Sequence, residues 1–149
     1  MNINIYPMTQ QDFNTISPIL SAEFDDFWTI SALKSELGNP NSSYIVAKLN
    51  SEIVGFAGIW KAVDEVHIMD IVVKKNYRHQ GIGKILLEEL LRLTKELGFH
   101  VITLEVNAQN TIAQKLYLHY NFKEVRISKK LLWYWARCLN LYFTCIDKI

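Results

Sequence analysis

Arg78, Gly81 and Gly83 follow one another as R-x-x-G-x-G inside "NYRHQGIGKILLEEL", between a strand-like apolar run and an amphipathic helical pattern. Glycine weakens a helix interior by about 1 kcal/mol relative to alanine. Two of them at a helix start therefore indicate a backbone that turns tightly or is approached closely. The first amides of a helix have no partner inside it, and the helix dipole is positive there, which suits a phosphate. Gly81 and Gly83 lack Cβ atoms and leave those amides open, while Arg78, His79 and Lys84 add donors and positive charge. A dinucleotide fingerprint would need glycine where Leu86 stands, and "GIGKIL" lacks the spacing and hydroxyl of a Walker P-loop. By itself, the hexapeptide is read equally well as a structural turn.

Three further residues could move protons. Glu105 lies in "VITLEVN", where period-two alternation puts Ile102, Leu104 and Val106 on one face and Thr103, Glu105 and Asn107 on the other. A carboxylate in the middle of an interior strand needs a partner or a wet cleft. Tyr117 falls at helical spacing with Ala113, Leu116 and Tyr120, a pattern that more often marks core. His67 titrates near neutrality, and its place on a strand favours a structural or substrate-facing role. Asp64 and Glu65 read as a solvated turn. Cys138 and Cys145 read as buried thiols, since neither belongs to a CxxC pair or a histidine cluster.

The elements that must position these residues are legible from periodicity and punctuation. "MNINIYPM" is a first strand ended by Pro7. "TQQDFNTISPILSAEF" is a helix capped by Thr9 and kinked or split at Pro18. "TISALKSELGNPN" is a second helix, capped by Thr29 or Ser31 and stopped at Gly38 and Pro40. "SYIVAKL" and "EIVGFAGIWKA" form a hairpin around "NS", and "EVHIMDIVV" is a further strand with Val66, Ile68 and Ile71 apolar. The helix after the glycine turn carries its stripe at Ile82, Leu86, Leu90, Leu93 and Leu97 and ends at Gly98. A strand "HVITLEVNA", a helix capped by Asn110, a strand "FKEVRIS" and the apolar tail "LLWYWARCLNLYFTCIDKI" complete the chain. Strands alternating with helices in the middle, and hairpins at the ends, predict one α/β domain over residues 1–149. Its mixed sheet has helices on both faces.

Bulk composition narrows the classes. The chain has 149 residues, 50% of them hydrophobic, enough for one sizeable core. A net charge of +1 argues against general nucleic-acid binding. No apolar run approaches the roughly 20 residues of a membrane span, and "MNINIYPMTQQ" has no signal-peptide pattern. A cytoplasmic protein without a membrane anchor is expected.

Four stretches together, "FWTISALKSEL", "DEVHIMDIVV", "YRHQGIGKILLEEL" and "TLEVNAQNTIAQKLYLHYNF", resemble the GNAT superfamily of N-acetyltransferases. Within it they are most similar to the bacterial ribosomal-protein alanine N-acetyltransferases. The resemblance runs from the first strand to about residue 128. It implies a GNAT-like fold of about seven strands and four helices, acetyl-CoA as cosubstrate and no metal. It assigns the pantetheine arm to the backbone of Ile71, Val72 and Val73. The pyrophosphate falls to Arg78, His79, Gln80, Gly81, Ile82, Gly83 and Lys84, and Asn110 lies near the thioester. Glu105 matches the general base and Tyr117 the general acid. Trp28 falls in a substrate-covering loop, and the acidic pair Asp64 and Glu65 matches a place facing the acceptor amine.

The implied reaction is direct acetyl transfer to a protein N-terminus, with a small-subunit ribosomal protein as the expected acceptor. A carboxylate takes the ammonium proton and a tyrosine protonates the departing thiolate. Alternative acceptors on the same fold are a small amine, a polyamine or a lysine side chain; another class is a non-catalytic CoA-binding module. The pattern departs from the family after "KEVRIS", where "KKLLWYWARCLNLYF" has no glycine or proline turn. Tyr134 stands there for a substrate-binding tyrosine. So apolar a stretch also predicts a homodimer or an exchanged C-terminus.

Overall fold

In the computed structural model, residues 1–25, 28–125 and 140–146 are described. The elements are β1 (Ile3–Pro7), α1 (Gln10–Ile16), α2 (Ile30–Leu37), β2 (Ser42–Leu49), β3 (Glu52–Lys61), β4 (Val66–Val73), α3 (Ile82–Glu96), β5 (Val101–Asn107), α4 (Thr111–His119), β6 (Lys123–Val125) and β7 (Asn140–Ile146). Thr9 caps α1 reciprocally with Asp12, and Thr29 and Asn110 cap α2 and α4. At Pro18 the first helical run breaks up, as its sequence predicts. A 3₁₀ turn over Ser17–Ile19 is followed by a wide π turn over Leu20–Phe24. Asn50 and Ser51 take φ of 49° and 73°, a primed-turn twist that folds β2 onto β3.

The seven strands lie in the order β1-β2-β3-β4-β5-β7-β6. All neighbours are antiparallel except β4 and β5. One face packs on α3 and α4 through Leu86, Leu87, Leu90, Ile102, Leu104, Tyr117 and Phe122. The other packs on α1, the π turn and α2 through Phe13, Ile16, Leu20, Phe24, Leu33 and Phe56. Two details of α3 differ from the periodic reading. Leu97 is exposed, because the chain turns away at Gly98 (φ 84°). Thr94 is buried, its hydroxyl donating to the Leu90 carbonyl at 2.7 Å.

A bulge in β4 shapes everything downstream. Gly58 pairs with Asp70, but the next residue, Ile59, pairs with Ile68, so Met69 is extra. Before it, Val66 and Ile68 face α3; after it, Ile71 and Val73 do, and Val72 joins the opposite cluster. The parallel ladder stops at the same point: Val66–Ile68 pair with Ile102–Leu104, and both strands then continue without pairing to each other. The two central strands form a fork.

The apolar tail contributes β7, which inserts between β5 and β6 and buries Phe143 and Cys145 in this chain's own core. Residues 126–139, Tyr134 and Cys138 among them, lie outside the described residues. So do Asp26 and Phe27.

Gly55 on β3 lets α3 approach the base of the fork. A Cβ there would lie 2.9 Å from the Val72 carbonyl oxygen and 3.1 Å from Leu86 Cδ1. Gly55→Ala is expected to destabilise the fold by roughly 1–3 kcal/mol through overpacking, read as a lower urea midpoint at unchanged slope.

Candidate active site

The turn from β4 into α3 exposes backbone. The first bond inside α3 runs from the Ile85 amide to the Gly81 carbonyl at 3.2 Å. The amides of Ile82, Gly83 and Lys84 thus precede the helical ladder, and no side chain caps this end. His79 and Gly81 take φ of 63° and 84°. A Cβ at Gly81 would meet nothing within 4 Å, and one at Gly83 would make only an ordinary 3.8 Å contact with Val73. Packing within the chain therefore does not demand glycine at 83, whereas the left-handed backbone favours it at 81.

His79, Gln80 and Lys84 are exposed, while the Ile82 side chain is buried in the core and can offer only its amide. Arg78 is engaged otherwise than as a simple anion ligand. Its Nε donates to the Val73 carbonyl at 3.1 Å and an Nη to the Phe24 carbonyl at 2.6 Å. It ties the end of β4 to the π turn.

Ile71, Val72 and Val73 pair with β3 on one side only. Their other edge faces the fork, where a ligand with amide groups can add as a strand would. Across the fork, Glu105 is half-buried on the face shared with Thr103. Tyr117 lies on α4. It is buried against Phe122 and Phe143, with ring centroids 5.6 and 6.4 Å away. Burial first, and then the charge of Asp70, push its hydroxyl up to about 12, so it is a phenol with its proton held at neutral pH. Asn110 caps α4 through Oδ1, which accepts from the Ala113 amide at 3.1 Å.

His67 shares the Glu105 face, with Nδ1 2.9 Å from Thr103 Oγ1. Burial lowers its pKa, opposed by Glu105 and Glu65. Asp64 is exposed in the turn before β4, and Glu65 is half-buried beside it. Trp28 is half-buried against the α1–α2 cluster.

Asp70 was not singled out by sequence reasoning. Its Oδ2 is closed off from solvent and has no hydrogen-bond partner. Burial first, and then Asp25, raise its pKa to about 7, against the pull of the Ile71 amide. The signal that could have found it is a broken alternation: Val66 and Ile68 are two apart, Ile68 and Ile71 three.

Residues 12–122 match the family model described as the acetyltransferase (GNAT) family. The chain belongs to that family. A Haemophilus ducreyi relative, a [ribosomal protein bS18]-alanine N-acetyltransferase, is 32% identical over 127 residues, covering 84% of this chain and 86% of its own. The crystal structure of the Escherichia coli ribosomal-protein-S18-alanine N-acetyltransferase superposes with a TM-score of 0.82 at 20% identity, over 99% of this chain and 96% of that one. A GNAT acetyltransferase from Elizabethkingia anophelis, solved with acetyl-CoA bound, gives 0.76 at 21% identity, over 97% and 98%. The seven-stranded mixed sheet with four helices is the fold of these structures.

A carboxyl raised in the folded state favours that state while protonated. Its contribution is complete below the unfolded value near 3.8 and is lost as pH rises through about 7. Asp25, Tyr44 and Tyr117 are the ionisable groups coupled to Asp70. Asp70→Asn is therefore expected to stabilise the fold at pH 8 by on the order of 2–4 kcal/mol, with little effect at pH 4. Denaturant titrations at the two pH values measure this.

Proposed function

We propose that the protein is an acetyl-CoA-dependent N-acetyltransferase acting on the N-terminal amine of a protein, and that a ribosomal protein is its acceptor. The observation that carries this reading is the fork, where a β4 edge unpaired with β5 faces the strand that bears Glu105. The names of relatives such as the Haemophilus ducreyi enzyme support the acceptor class.

The residues present fit the cosubstrate. Ile71–Val73 offer a free strand edge to a pantetheine arm, and the amides of Ile82, Gly83 and Lys84 offer donors to a pyrophosphate. Acetyl-CoA supplies an acetyl thioester. Glu105 draws the proton from the acceptor nitrogen, directly or through water, and Tyr117 delivers its hydroxyl proton to the departing sulfur. A chain terminus suits a carboxylate base, because its unperturbed pKa of roughly 7.7–8.0 lies well below the 10.4 or so of lysine. Asn110 lies at the start of α4, seven residues before Tyr117.

Mass spectrometry of a peptide library incubated with the protein and acetyl-CoA tests the reading. Acetyl groups should appear on N-terminal amines; transfer confined to lysine side chains or polyamines would overturn it. Glu105→Gln should lower kcat about a hundredfold or more with little change in acetyl-CoA affinity. Tyr117→Phe should slow turnover most where thiolate departure limits the rate. Calorimetry should also show Gly81→Val weakening acetyl-CoA binding more than His79→Ala does. The opposite order would mean that side-chain charge outweighs backbone access.

A further inference from the structure

Tyr44, Gly58 and Asp70 lie on one line across the sheet: Tyr44 pairs with Gly58 on the β2–β3 ladder, and Gly58 pairs with Asp70 on the β3–β4 ladder. The middle position has no side chain, and the Tyr44 ring occupies the vacated space. A Cβ built on Gly58 would fall 2.3 Å from Tyr44 Cζ, the atom that carries the hydroxyl. The ring thus lies across β3 toward β4, and its hydroxyl and the Asp70 carboxyl influence each other electrostatically. Tyr44 belongs to the cluster under α1 and α2. The Met69 bulge brings Asp70 to this same face; regular alternation with Val66 and Ile68 would have turned it toward α3.

Both polar ends are left over. Tyr44 Oη and Asp70 Oδ2 are each shut off from solvent without a hydrogen-bond partner. Buried polar atoms are normally satisfied, and a buried carboxylate especially so. Here two oxygens that can accept hydrogen bonds belong to residues in line across Gly58. Asp70 is the residue before Ile71–Val73, and lies where β4 parts from β5 and Glu105.

We propose that Asp70 Oδ2 and Tyr44 Oη form the seat for the cationic amine of the acceptor, holding its ammonium group at the fork before transfer. The proposal deepens the acetyltransferase reading and rests on it. An ammonium brings three donors and one positive charge. It satisfies both oxygens and replaces the missing countercharge of Asp70, whose pKa near 7 marks how poorly the site alone holds a negative charge. Gly58 is the device that permits the arrangement, since any side chain there would displace the ring. The role is recognition and placement of the nitrogen. Removal of its proton remains with Glu105.

The test uses the full chain loaded with CoA, so that no transfer occurs. Calorimetry at pH 8 compares an alanine-initiated peptide with its desamino counterpart, which lacks only the amine; steady-state kinetics use the alanine peptide and acetyl-CoA. Wild type should bind the amine peptide at least tenfold more tightly than the desamino peptide. Asp70→Asn should abolish that preference and raise KM for the peptide at least tenfold, with CoA affinity within twofold of wild type. Tyr44→Phe should raise KM by a smaller factor of about three to five.

An amine preference that survives Asp70→Asn overturns the proposal. So does an equal loss of both peptides, because that reports only collapse of the pocket. If wild type acetylates a polyamine or a lysine side chain instead of chain termini, the proposed acceptor fails alone. The same comparison, made with that amine and its uncharged analogue, then decides the role of Asp70. Absence of both binding and transfer for every amine overturns both.

Discussion

One extra residue in β4 is the constraint on which the site depends. A regular parallel pair would hydrogen-bond β4 to β5 along their whole length and leave no edge for a ligand. Met69 ends that pairing after three residues on each strand. The same insertion turns Asp70 onto the α1–α2 face and leaves Ile71 and Val73 packed toward α3. A bulge next to an active site commonly re-aims a side chain and terminates pairing, and here it does both. Tyr117 lies in the core on the α3–α4 side, and Glu105 is half-buried on the other strand of the fork.

Much of this was legible in the sequence wherever a single period governs a segment. The alternation of "VITLEVN" put Glu105 opposite Ile102, Leu104 and Val106, and the structure keeps those three in the core. Pro18, Asn50–Ser51, Asn110 and Gly98 act through local backbone chemistry, so their turns and caps were readable from residue type. Tyr117 is core in the structure and a site candidate by resemblance. Its spacing argued only for the first role, and the resemblance to the acetyltransferases supplied the second. Asp70 was hidden because a bulge breaks the period on which face assignments rest. The anchoring of Arg78 was hidden for another reason. Its partners are the Val73 carbonyl and the carbonyl of Phe24, a residue 54 positions away, and no local pattern encodes such a bridge.

The charged groups around the fork contrast with those elsewhere. Lys48 is paired with Asp12, which is held below the usual carboxylate range despite its burial. Lys74 sits between Glu23 and Glu52 at 2.9 and 2.8 Å. Arg92 is held by Glu89 and Glu96. These pairs settle their charges within the chain, and the exposed ones add little stability. Asp70 is half-buried with Oδ2 shut off from solvent, and lacks such a pair. Local instability of this kind persists where function requires it, and the rest of the fold must compensate.

The position of β7 has a consequence for how the protein is made. Residues 140–146 are synthesised after β5 and β6, yet they fill the slot between those two strands. Until they emerge, β5 presents an unpaired edge and the core lacks Phe143 and Cys145. The nascent chain can assemble β1 through β5 with their helices while the strand carrying Glu105 still waits for its outer neighbour. A growing polypeptide with an open central edge is prone to pairing with the wrong strand. Synthesis of β7, and not the earlier appearance of the glycine turn, is therefore the event that closes the sheet behind Glu105.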